Sequence, residues 1–273
     1  MNYRSFENVS LPENSGIHNI ASDCGEMRFS ISLPGNDLPK ISSTTPLVLI
    51  LHYGGETTPF YGRPLLEEVY RPAWQALEAI MIAPESLGSN WATEQNEAFV
   101  INLFRKVLHN YKCSRSRTLV TGYSAGAIGS AQLALNYPEL FSAVIPVAGY
   151  SAKVEKLTVP AQFLLSENDE LFPSPKFVEL LGNPNQHPNT KLTIVNAKSH
   201  YDIDNGMRRC TEKGVVFETP KPTSSEAYKH YVRNGIEQND NDQWVQAWVE
   251  QDMFADTTVD GVTTTDLEPT PAK

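Results

Sequence analysis

Three residues carry the chemistry this sequence offers. Ser124 sits in Gly-Tyr-Ser-Ala-Gly at 122–126, Asp169 in the stretch SENDELFP, and His200 in KSHYD. A serine hydroxyl is a weak nucleophile near neutral pH and needs an adjacent base, which in turn needs an acid to orient it. Serine, carboxylate and imidazole are the set required for attack on a carbonyl carbon, and here they follow the order expected when loops at the ends of successive sheet strands supply them. The intervals, 45 residues from Ser124 to Asp169 and 31 onward to His200, each leave room for a strand and a helix.

Acyl transfer also needs two N–H donors for the oxygen that becomes an oxyanion. The amide of Ala125, directly after the serine, is one candidate. The other lies in the loop His52-Tyr53-Gly54-Gly55, where either Tyr53 or Gly54 can donate. His52 itself precedes the serine in the chain and reads as a residue that shapes this loop. Trp91 and Tyr150 fall on loops at the same rim and are either pocket lining or ordinary packing. No His, Cys or Asp cluster has ligand spacing, so neither a metal nor an organic cofactor is expected.

These side chains must be held by a scaffold, and the apolar runs describe one. Strands are expected at 46–51 (PLVLIL), 79–84, 117–121, 142–149, 160–166 and 191–197, each rich in Val, Ile and Leu. Between two of them, Val100, Leu103, Phe104, Val107, Leu108 and Tyr111 recur at helical spacing. A second helix follows Ser124 and stops before Pro138. Apolar strands alternating with helices make an α/β fold, a mostly parallel sheet with helices on both faces. The alternating segment 27–34 (MRFSISLP) is expected to be an antiparallel edge strand. Within 122–126, the strand-to-helix turn is so tight that bulk at 122 or 126 would strike neighbouring backbone, which accounts for both glycines.

Beyond residue 200, 224–235 and 242–253 read as helices, and residues 256–273 as a disordered Thr- and Pro-rich tail. One domain over 1–255 with that tail is the simplest partition. The late helices would pack on or beside the core, or support a homodimer.

The chain has 273 residues and 40% hydrophobic content, enough for a sizeable core. Its net charge of -10 argues against nucleic acid or an anionic membrane as partner, since both select for Lys and Arg. No apolar stretch is long enough to span a bilayer, and the first residues lack the basic-then-apolar pattern of a secretory signal. Cys24, Cys113 and Cys210 are odd in number and fit no metal or redox spacing, so all three are expected to be reduced. A cytoplasmic location follows.

Taken together, LVLILHYGGE, APES followed by NW, SRTLVTGYSAGAIGSAQLALNYPELFSAVIPVAGY, LLSENDELFP and SHYD resemble the α/β-hydrolase superfamily. Within it the chain is similar to the polyhydroxybutyrate-depolymerase, feruloyl-esterase and predicted-peptidase group, over roughly residues 27–203. The resemblance implies Ser124, Asp169 and His200 as a triad, Ala125 with Tyr53 or Gly54 as oxyanion hole, and Trp91 near the substrate pocket. It departs from the group at Tyr53 and Ala127, where many members carry glycine. The activity implied is carboxylic ester cleavage of a small-molecule substrate through an acyl-enzyme. Peptide or thioester cleavage by the same residues, or a silent fold used for binding, are the alternatives. The segments 85–116 and 170–190 are too short for a large lid, which suits soluble esters of modest size.

Overall fold

The computed structural model describes residues 10–22, 25–36, 41–88, 91–183, 186–195, 197–201, 210–211, 214–215, 229–238, 244–252, 257–259 and 262–264. The main sheet contains β1 (Gly16–Ser22), β2 (Gly25–Ser32), β3 (Leu47–Leu51), β4 (Ile80–Pro84), β5 (Thr118–Tyr123), β6 (Ala143–Val147), β7 (Ala161–Ser166) and β8 (Thr190–Val195). Their spatial order is β1-β2-β4-β3-β5-β6-β7-β8. β2 pairs antiparallel with both β1 and β4, and every pair from β4 to β8 is parallel. All six strands expected from 46 onward are present. The segment at 27–34 is antiparallel, but β1 lies outside it and takes the edge. The polar pair His18-Asn19 interrupts the apolar signal of β1, from which Ile20 enters the core.

The period-two geometry of β3 explains the layering. Leu47, Leu49 and Leu51 enter one core, whereas Val48 and Ile50 enter the other. The first core is covered by α2 (Glu94–Asn110), which contributes Phe99, Val100, Leu103, Phe104 and Val107. Thr93 caps α2 by accepting the Asn96 N–H at 3.2 Å. The second core is covered by a π-helical stretch, Leu65–Tyr70, that runs into the short helix α1 (Arg71–Ala73). Leu65, Leu66, Val69, Tyr70 and Trp74 supply its apolar side. The helix α3 (Ala125–Asn136) follows β5, and α4 (Ser174–Leu181) lies between β7 and β8. The connection from β6 to β7 holds only the turn Val154–Lys156, so no lid is inserted there.

Two loops at the carboxyl ends of β3 and β4 are tied through one side chain. His52 Nδ1–H donates to the Tyr53 carbonyl at 2.6 Å, and its Nε2 accepts the Ser86 N–H at 3.0 Å. Both ring nitrogens are thereby used by the neutral form. His52 is fully buried, and that burial pushes its pKa down to about 4 against the opposing effect of the Tyr53 carbonyl.

The contacts divide the chain into Met1–Glu212 and Lys213–Lys273 rather than at residue 255. Short strands β9 (Cys210–Thr211) and β10 (Gly214–Val215) come first. The late helices are replaced by β11 (Lys229–Gln238) and β12 (Trp244–Asp252), paired antiparallel. Asn234-Gly235, at the end of the first of these expected helices, instead coincides with a register shift between Arg233 and Ile236. Trp244, Val245, Trp248 and Val249 suit a strand as well as a helix, because so short an apolar run does not fix the period. The expected disordered tail contains β13 (Thr257–Val259) and β14 (Val262–Thr264), paired antiparallel around the sequence Asp260-Gly261. β-branched residues flanking Asp-Gly favour a hairpin. The remainder of 256–273 lies outside the described residues, as does Cys24. Cys113 is buried and unpaired. No helix among the described residues is long and apolar enough to cross a membrane.

Two outcomes test this packing. Phe104 is fully buried with its ring 5.0 Å from that of Phe141, so Phe104→Ala is expected to cost about 3–5 kcal/mol, read from the denaturant midpoint. For His52, the unfolded chain binds a proton more readily than the native one. Stability from this group is complete above pH 6.5 and is lost as pH falls toward 4, about 3 kcal/mol in all. Melting temperatures from pH 7 to pH 4 should therefore fall more steeply for the wild type than for His52→Gln; equal slopes would refute the assignment.

Candidate active site

The turn from β5 into α3 places Ser124 at φ 55° and ψ −113°, a conformation that non-glycine residues rarely adopt. Backbone contacts enforce it. A Cβ on Gly126 would lie 2.6 Å from the His52 carbonyl oxygen and closer still to that of Leu51. A Cβ on Gly122 would lie 2.8 Å from the Leu51 oxygen and would also strike the backbone of Gly126. Gly149, after β6, passes equally near: a Cβ there would meet the Ser124 carbonyl at 2.7 Å. The serine is thus locked between the carboxyl ends of β3 and β6, with its side chain at the rim and partly exposed.

His200 reaches this rim from the loop after β8. Its Nε2 lies 2.9 Å from Ser124 Oγ, and its Nδ1 lies 2.8 Å from Asp169 Oδ2. The carboxylate accepts, so Nδ1 carries the proton and Nε2 is free to accept the serine hydroxyl. Asp169 is aimed by its other oxygen, which accepts the N–H groups of Leu171 at 2.9 Å and Phe172 at 2.7 Å. Both His200 and Asp169 are buried, at 2% and 4% exposure. The structure therefore brings Ser124, Asp169 and His200 into one hydrogen-bonded chain. The loops that carry them are joined as well: the Ala197 carbonyl accepts from Asn168 Nδ2 at 2.9 Å and from Ser166 Oγ at 3.2 Å.

Ala125 is the first residue of α3, so its N–H has no intrahelical acceptor. Tyr53 and Gly54 follow the Leu51 and His52 carbonyls against which Gly126 packs, on the same rim. The Tyr53 ring packs edge-on against Tyr61 at 5.1 Å and Tyr123 at 5.9 Å.

Two residues resolve the choice between pocket and packing differently. Trp91 is 6% exposed and belongs to the core. Its indole N–H donates to the His52 carbonyl at 2.7 Å, and its Cβ lies 2.7 Å from where a side chain on Gly129 would begin. Trp91 underpins the loop carrying Tyr53 and Gly54 instead of lining a surface pocket, because indole burial with a satisfied N–H is the more stable placement. Tyr150 is half-buried beside the acid loop. Its hydroxyl donates to the Pro173 carbonyl at 3.1 Å, and its ring meets Phe172 at 5.4 Å. Partial burial, with the Asp169 carboxylate second, raises its pKa.

Sequence reading missed Tyr123 and Glu170. Tyr123 is the variable position of the Gly-x-Ser-x-Gly turn, yet its ring stacks on the His200 imidazole at 5.3 Å and its hydroxyl donates to the His200 carbonyl. Glu170 reads as one of several acids around Asp169, yet its carboxylate accepts the His200 N–H at 3.0 Å. That hydrogen bond is the main cause holding the Glu170 carboxyl below its ordinary range. A separate cavity of about 450 Å³, lined by residues such as Ser32, Arg71, Trp74 and Met81, includes none of these loops. Among the described residues no group of three His, Cys, Asp or Glu side chains is placed to hold a metal ion.

No protein-family model and no curated protein matches the chain. Solved structures do. A thermostable esterase is 22% identical with a TM-score of 0.56, covering 71% of this chain; the chain spans only 58% of that protein's length. An S-formylglutathione hydrolase from Agrobacterium tumefaciens is 18% identical at TM-score 0.54, covering 73% of this chain and 94% of the other. A serine hydrolase without a lid from Xanthomonas campestris is 14% identical at TM-score 0.55, covering 71% and 89%. The strand order, the strained serine turn and these likenesses agree: the chain has the α/β-hydrolase fold.

Proposed function

We propose that this protein is a serine hydrolase that cleaves carboxylic esters through an acyl-enzyme. The observation that carries the reading is the continuous chain from Ser124 Oγ through His200 to Asp169, at 2.9 and 2.8 Å. In this reading His200 Nε2 takes the hydroxyl proton as Ser124 Oγ attacks the ester carbonyl. Asp169 keeps the imidazole in the required tautomer and offsets its charge once it is protonated. The amides of Ala125 and of Tyr53 or Gly54 receive the oxyanion, aided by the positive end of α3. His200 then returns the proton to the departing alkoxide. Water, deprotonated by the same imidazole, releases the acid and restores the hydroxyl.

The accessible rim favours a soluble ester of modest size, since no inserted helix covers Ser124 between β6 and β7. The solved structures of similar fold include a thermostable esterase and an S-formylglutathione hydrolase, which supports hydrolysis of an acyl group. No cofactor is invoked for any step.

A fluorophosphonate probe should modify the wild type at Ser124, mapped by peptide mass spectrometry, and leave Ser124→Ala unlabelled. Hydrolysis of p-nitrophenyl acetate should fall by on the order of 10⁴-fold or more in Ser124→Ala. Parallel assays with a matched anilide and a matched thioester rank the three acyl bonds. A folded wild-type sample that neither labels nor turns over any of them would rule the proposal out.

A further inference from the structure

We propose that Tyr123 and Glu170 are a pair of positioning residues that grip the backbone of His200 from its two sides and so set the imidazole between Ser124 and Asp169. This rests on the hydrolase reading for its kinetic consequence, but not for its structural one.

The need for such a grip follows from where His200 stands. β8 ends at Val195, and the next regular element among the described residues is β9 at Cys210. His200 therefore lies on a turn, with neither strand pairing nor a helix of its own to fix its φ and ψ. Its neighbour Tyr201 is 71% exposed and adds only an edge contact to the imidazole at 5.1 Å. A ring nitrogen displaced by about 1 Å at this position would lengthen both hydrogen bonds of the triad together, and losses of about 100-fold accompany errors of that size.

Two side chains meet the requirement from opposite polarities. The Tyr123 hydroxyl donates to the His200 carbonyl, and the Glu170 carboxylate accepts the His200 N–H at 3.0 Å. Both main-chain polar groups of one residue are thereby taken by side chains from two other segments, the end of β5 and the loop after β7. Tyr123 adds a third contact, because its ring lies at 20° to the imidazole plane with centroids 5.3 Å apart. That near-parallel stack resists rotation of the imidazole out of line. Phe172 closes on the ring from the acid loop, at 5.6 Å.

Each partner is well built for its task. Tyr123 is 5% exposed, and burial, with the Asp169 carboxylate second, raises its pKa, which keeps the phenol protonated as a donor. It also sits one residue before Ser124, so the strained backbone that presents the nucleophile fixes the phenol as well. Glu170 follows Asp169 directly, so a single turn of chain supplies the acid that orients the imidazole and the acid that holds its backbone. The titratable groups facing the ring are thus Asp169 and Glu170 from that loop, Tyr123 from β5, and Tyr201.

Four variants separate this role from general support of the fold. Tyr123→Phe keeps the stacked ring and loses the donor. Glu170→Gln keeps an acceptor for the His200 N–H, and Glu170→Ala removes it. The double variant Tyr123→Phe/Glu170→Ala removes both. With p-nitrophenyl acetate, Tyr123→Phe and Glu170→Ala should each lower kcat by about 10-fold to 100-fold with KM within about twofold, while Glu170→Gln stays near wild type. The low-field proton NMR signal of the His200 Nδ1–H should broaden or shift in Tyr123→Phe and Glu170→Ala, persist in Glu170→Gln, and vanish in the double variant. Circular dichroism melts establish the folded fraction of each sample. Unchanged kcat and an unchanged imidazole signal in Tyr123→Phe and Glu170→Ala would overturn the proposal, as would losses that merely track the unfolded fraction. If the wild type neither turns over nor labels, the hydrolase reading fails alone, and the NMR comparison still decides whether the grip exists.

Discussion

Backbone brought against backbone at the carboxyl ends of β3 and β5 is the constraint on which the rest depends. The carbonyls of Leu51 and His52 occupy the space that any side chain at 126 would need, and Gly122 faces the same limit. Parallel pairing of Leu51 with Gly122 delivers the two chain segments to that contact. Once it forms, Ser124 has no relaxed conformation available and its hydroxyl is presented at the rim. The cost of that strained residue, of order 1–3 kcal/mol, is offset by the two cores that hold β3 and β5 side by side.

A polar scaffold is built on this contact, and it is made mainly of main-chain acceptors and donors. His52 joins two loops through both ring nitrogens. The Trp91 indole holds the His52 carbonyl, and Asn168 and Ser166 hold that of Ala197. His52, Trp91 and Ser166 are buried and Asn168 is exposed, and each spends its polar group on a main-chain partner, so the rim behaves as a connected unit. This arrangement permits a glycine-rich loop such as His52-Tyr53-Gly54-Gly55 to keep a defined shape beside the serine.

Much of this was legible in the residues because it rests on local rules. The strands from β3 to β8 are apolar runs of ordinary length, α2 has clean helical periodicity, and the paired glycines have a steric cause that any sequence states openly. The positions of Asp169 and His200 follow from the loops at which successive parallel strands must end. What was not legible is long-range or ambiguous. The partner of Tyr123 is 77 residues away, and nothing at the variable position of the turn announces it. Trp91 reads equally as pocket or core until its indole acceptor is known. The late segments defeated periodicity: β11 crosses an Asn-Gly pair by shifting register, and β12 places its tryptophans and valines at a spacing that two secondary structures share.

The sheet order carries a temporal consequence. Ser124 and Asp169 are made well before His200, which is 76 residues beyond the serine and is held by groups from both earlier loops. A nascent chain can therefore assemble the strands from β1 to β7 while Ser124 still lacks its imidazole partner. The hydrogen-bonded chain from Ser124 to Asp169 closes only when the last parallel strand docks and carries the His200 imidazole into place. The closed chain of three side chains thus marks an assembled eight-stranded sheet, by connectivity alone.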